Sequence, residues 1–70
     1  MLSELERKWV KLRQERNMKL GETDFTQLAD FQEKLTVFEK EQWRDYRQAL
    51  RDLPNQTADP EVVVWPEEPS

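Results

Sequence analysis

The sequence predicts an all-α fold: an antiparallel two-helix hairpin with an ordered connection and an extended C-terminal tail. Three observations carry that expectation. Two separate segments open with a Ser/Thr-x-x-Glu capping box, the local signature of a helix start. Within each, bulky apolar residues recur at spacings of three and four, which gathers them on one side of a helix. After Pro54 the composition becomes polar and turn-rich and then β-branched, with no second strand to complete a sheet. The expected division is a helical hairpin over residues 1–54 and an acidic tail over 55–70.

The first helix is expected over 4–20. Ser3-Glu4-Leu5-Glu6 starts it, and Leu2, Leu5, Trp9 and Leu12 repeat at three, four and three. Arg16 and Leu20 continue the same face. A guanidinium in an apolar seam either lays its stem on the core and sends its head to solvent or to Asp24 or Asp45, or forms a more buried ion pair that sets the angle between the helices. Glu4 with Lys8 and Glu15 with Lys19 are correctly ordered i,i+4 pairs, each worth about 0.3 kcal/mol. Gly21, the only glycine, stands where a left-handed residue would end the helix.

Residues 22–35 form the connection. Phe25, Leu28, Phe31 and Leu35 supply apolar anchors, and Phe25, Leu28 and Phe31 are expected to pack onto the hairpin, because a structureless loop of this length is rare in so small a domain. A short helical turn is expected around Asp30–Lys34, capped by Asp30. The second helix is expected over 37–53: Thr36 and Glu39 form its capping box, Trp43, Tyr46, Leu50 and Leu53 its apolar stripe, and Pro54 its end. Seam against seam, Leu5, Trp9 and Leu12 should face Trp43, Tyr46 and Leu50. The predicted core is therefore Leu5, Leu12, Leu20, Phe25, Leu28, Trp43, Tyr46, Leu50 and Leu53.

In the tail, Asn55–Pro60 is turn-rich, Glu61–Pro66 is extended, and Glu67–Ser70 should be solvated. A lone strand must lie across the helices, add to a strand of another chain, or stay loose until a partner arrives. Charge bears on the choice. Residues 1–20 carry +3, 21–35 carry −3, 36–53 are neutral and 54–70 carry −4. A basic first helix and an acidic tail can fold against each other or each seek a partner.

Catalysis is excluded on residue types. There is no His and no Cys, and the only serines, Ser3 and Ser70, lie at the chain ends, so no nucleophile and base can be assembled. No carboxylate series has the spacing of a calcium loop, and one glycine cannot make a phosphate cradle; no cofactor or metal is expected. The net charge of −4 argues against nucleic acid, and the absence of a long apolar run argues against a membrane span or signal peptide, so a cytoplasmic protein is expected.

What remains is a surface for another polypeptide. Lys40, Arg44, Arg47 and Arg51 fall at four, three and four, within about 60° of arc on the second helix at 100° per residue. They make either a solvated rim or a seat for an acidic segment, the chain's own Asp59–Glu68 or a partner's. Trp9 and Trp65, the latter followed by Pro66, lie near the ends of a small hairpin and can serve as core or as contact anchors. Seventy residues without a disulfide build a marginal core, so association with a partner or a second copy is a reasonable source of stability.

One family resemblance sharpens this. Trp43, the run Tyr46–Asp52, Leu53-Pro54, then Val63-Val64-Trp65-Pro66 and Pro69, with Arg13, Arg16-Asn17, Leu20, Thr23-Asp24, Leu28 and Asp30 upstream, resembles the small tail assembly chaperone proteins of tailed bacteriophages. The C-terminal ends of phage tail-fibre assembly proteins look similar. The likeness covers residues 13–69, with Phe25 where the pattern usually has Trp and Ala29 where it usually has Pro; residues 1–12, with Trp9, lie outside it. It implies a non-catalytic protein that covers a stretch of a phage tail protein, a tape-measure or fibre component, until assembly in the host cytoplasm. The alternative is a structural subunit of the virion, fibre-attached or decorating.

Overall fold

Ser3 and Thr36 set where the two long helices begin. Each hydroxyl accepts from the amide three residues on, Glu6 or Glu39, at 3.1 Å, and each of those carboxylates accepts from the Ser3 or Thr36 amide at 3.2 and 3.1 Å. Orphan donors at both helix starts are thus satisfied reciprocally, as expected. The computed structural model describes residues 1–69. In it α1 spans Glu4–Glu22, a 3-10 turn spans Asp24–Gln27, α2 is the single turn Ala29–Gln32, and α3 spans Val37–Gln56. No strand is present among the described residues, and Ser70, the last of the expected solvated residues, lies outside them. The fold is the all-α pairing of two long helices.

The helix ends differ from expectation. Gly21 does not terminate α1; it lies inside the helix, with no positive φ, and Thr23 does the terminating. The Thr23 hydroxyl lies within hydrogen-bond reach of the Lys19 and Leu20 carbonyls, at 3.0 and 3.2 Å, and its amide donates to Leu20 at 3.2 Å. A side chain able to satisfy the last carbonyls removes the need for a left-handed residue. α2 begins one residue ahead of Asp30, with Leu28 at its cap position and no side-chain cap. Pro54 does not end α3, which continues to Gln56, where the Thr57 hydroxyl donates to the Leu53 carbonyl at 2.7 Å. In the final turn the ring costs one backbone bond rather than a ladder of them.

Packing follows from register. Arg47 meets the Leu20 carbonyl and Arg16 meets the Arg51 carbonyl, so α1 and α3 run antiparallel with residue 20 beside 47 and 16 beside 51. Because α3 stops at Gln56, roughly the first two turns of α1 overhang it. Leu5 therefore has no helix opposite and is 58% exposed, a correction to its predicted core role. For the same reason Trp9 lies by Pro54 and not against Trp43 or Tyr46. The molecule is long and thin, 46 × 20 × 16 Å.

The core that forms is Leu12, Tyr46, Leu50 and Leu53, with Leu50 wholly sealed. Leu20 and Trp43 are half-buried, Trp43 meeting Tyr46 edge-on at 6.1 Å between ring centres. Phe25 and Leu28 are not core: they are 48% and 62% exposed. Phe25 instead pairs edge-to-face with Phe31 at 5.1 Å, and the connection is held by polar bonds around fully buried Thr26. Its hydroxyl donates to the Thr23 carbonyl at 2.7 Å and accepts from Gln27, while its own carbonyl accepts from the Gln32 amide group.

Candidate functional site

The four-residue basic stripe does not survive folding as one surface. Arg47 turns inward and is 7% exposed, which corrects its assignment to the partner-facing set. Nη1 donates to the Leu20 carbonyl and the Thr23 hydroxyl, both at 2.8 Å, and Nη2 donates to Asp24 Oδ1 at 2.7 Å; buried Nε has no partner. A guanidinium suits this place because its forked donors reach several acceptors at once, and a cation at the C-terminal end of α1 meets the negative end of the helix dipole. Asp24 thereby goes to Arg47, not to Arg16. Arg16 instead donates to the Arg51 carbonyl at 3.3 Å and to Asn17 at 2.7 Å, with neither expected carboxylate.

Lys40, Arg44 and Arg51 stay exposed. Lys40 and Arg44 line a shallow depression with Gln27, Gln32, Val37 and the acidic Glu41, and Arg44 has only a loose, solvated approach to Asp45 at 3.9 Å. Exposed pairs of this kind contribute little, so these cations remain available.

The tail lies on the basic face of α1 and not on this stripe. Lys8 pairs with Glu61, while the Glu4 carboxylate stands 3.8 Å away. Lys19 Nζ sits 5.2 Å from the centre of the Trp65 ring, a cation–π distance. Lys11, Leu12, Glu15, Pro60 and Val63 complete the groove. The hydrogen bond to Glu61 holds the Lys8 ammonium above the ordinary lysine range. Along the strand-like stretch Val63 and Trp65 are half-buried, whereas Val62 and Val64 point outward. Pro66 is half-buried, and Glu67, Glu68 and Pro69 continue along Gln42 and Tyr46. Burial, followed by the charges of Glu68 and Glu22, pushes the Tyr46 phenol up.

A third surface sits at the overhang. Trp9 is half-buried in an open groove with Leu2, Glu6, Val10, Arg13 and Pro54, where Leu2 and Val10 are exposed. Sequence reasoning picked Trp9 but missed Pro54, because only the register brings them together. It also missed Lys8 and Lys19 as the residues that hold the tail, although the opposed charges of α1 and the tail pointed to that contact. No group of His, Cys, Asp or Glu among the described residues could hold a metal ion. No helix among them is long and apolar enough to cross a membrane.

The family model described as phage tail assembly chaperone protein matches residues 9–70. The chain belongs to the phage tail assembly chaperone family. Neither the search of curated proteins nor that of solved structures returns a match. A tail assembly chaperone is non-catalytic, and membership implies binding of phage tail proteins. The family match begins at Trp9, so it takes in the paired part of the hairpin and the tail but only the last residues of the α1 overhang.

Proposed function

We propose that this chaperone holds a tape-measure or fibre component of the phage tail by non-covalent contact, in the host cytoplasm, until assembly. The observation that supports this most is the α1 overhang: Trp9 beside Pro54 in the last turn of α3, with Leu2 and Val10 in the open where the chain extends past that helix. An amphipathic helix end with an accessible groove is the geometry that takes another helix, and Trp is among the residues enriched as energetic anchors of protein contacts. Arg13 and Glu6 at its rim give the mixed character of a reversible interface, not the apolar character of a permanent one. Lys40, Arg44 and Arg51 form a second, cationic contact suited to acidic residues of the same client, and Trp65 with Pro66 belongs to a third.

Co-expression tests the reading. A tail component produced with the intact chain should stay in the soluble fraction, and should precipitate without the chain or with Trp9→Ala. Equal solubility in all three cases removes the basis for a chaperone role at this surface.

A further inference from the structure

We infer that the α1 face bearing Lys8, Lys11, Leu12 and Lys19 is a binding site for extended segments in which an acidic residue precedes an aromatic one by four positions, and that the chain's own Glu61–Trp65 is its resident occupant. The dimensions agree. Four residues of extended chain span about 13 Å, and the eleven helical steps from Lys8 to Lys19 rise about 16 Å, a difference two lysine side chains bridge easily. Glu61 meets Lys8 at one end and Trp65 meets Lys19 at the other, with Val63 and Leu12 lining the groove between them. Alternation along the strand turns Val63 and Trp65 toward the helix and leaves Val62 and Val64 outside, so recognition uses every second side chain.

The occupant is held loosely. Among the described residues no hydrogen bond joins the backbone of Val63–Pro69 to α1 or α3, and the ion pair and cation–π contact at the two ends are partly solvated. What favours the resident is its tether, which keeps it at an effective concentration on the order of millimolar. A client segment of the same acidic-x-x-x-aromatic chemistry displaces it when it binds more tightly or is itself anchored elsewhere on the chaperone. Charge complementarity selects the class: α1 is basic over residues 1–20, and the segment it holds is acidic. This inference rests on the chaperone reading for its client, but the groove is tested without one.

The probe is a synthetic peptide of residues 59–69, titrated into the full chain and into a full-length Glu61→Gln/Trp65→Ala variant that leaves the buried residues of the helices intact, with thermal melts confirming that both are folded. The peptide should bind the variant at least tenfold more tightly than wild type, since the variant's own tail no longer competes. Adding Lys19→Gln to the variant should weaken that binding. Equal affinity for the two chains, undiminished affinity of a peptide carrying the same two substitutions, or no binding to the variant at millimolar peptide each overturns the inference. Should a tail component still bind through Trp9 in that last case, only the groove assignment falls.

Discussion

Arg47, in the middle of α3, donates to Asp24 at 2.7 Å across the bend of the hairpin, and with its other terminal nitrogen to the last turn of α1. One side chain thus joins α3, the connection and the end of α1. Its acceptors differ in exposure: the Thr23 hydroxyl is buried and the Leu20 carbonyl partly shielded, while the Asp24 side chain is 68% exposed.

Arg47→Ala should therefore lower unfolding free energy by about 2–4 kcal/mol, chiefly because two shielded acceptors lose a charged donor. Arg47→Lys should recover less than half of that, having no fork, and Asp24→Asn should cost under about 1 kcal/mol. Urea denaturation of the three variants checks the order; an Asp24→Asn loss as large as that of Arg47→Ala contradicts it.

Leu50 and Leu5 should behave oppositely. Leu50 is fully buried, so Leu50→Ala should cost about 2–5 kcal/mol, comparable to the whole stability of a domain this small. Leu5→Ala and Leu28→Ala should lie within about 0.5 kcal/mol of wild type. A Leu5 loss equal to that of Leu50 would mean the overhang is packed after all.

Gly21→Ala should be stabilising. The residue is helical with no positive φ, and an added methyl group meets nothing within 4 Å. Relief of backbone entropy then contributes about 0.5–1 kcal/mol, visible as a raised melting temperature. A lowered one points to a left-handed residue at this position.

The capping box at Thr36 has a pH signature. The Thr36 amide, and then its hydroxyl, favour the charged Glu39 carboxylate and hold its pKa below the ordinary glutamate range. The unfolded chain then binds the proton more readily than the folded one, so the contribution is complete above the ordinary range and fades as pH falls through the lowered value. Melts of wild type and Glu39→Gln from neutral pH down to about pH 3 should converge on acidification. A gap that stays constant across that range rules the mechanism out.

The capping boxes were legible because four consecutive residues contain all of the information, and both helix starts are where Ser3 and Thr36 put them. Register was not. Leucines at repeating intervals pack almost equally well when one helix slides past the other, and the slide is decided by what lies at the bend: Thr23, Asp24 and Arg47. Arg47 did carry a signal, since it falls about 40° from Trp43 on the wheel and borders the apolar stripe more closely than Arg44 or Arg51. Charge alone grouped it with its exposed neighbours. The side on which the tail lies was foreshadowed by the opposite charges of α1 and residues 54–70, whereas the meeting of Trp9 with Pro54 depends wholly on register and left no local trace.

The proposal that the overhang holds a client while Arg47 and Leu50 hold the fold makes the two roles separable at Trp9. The direct measurement is the dissociation constant of a purified tail component for wild-type and Trp9→Ala chains that are both fully folded. The account predicts at least tenfold weaker binding by Trp9→Ala, the loss of a single anchor residue. Equal dissociation constants would contradict it.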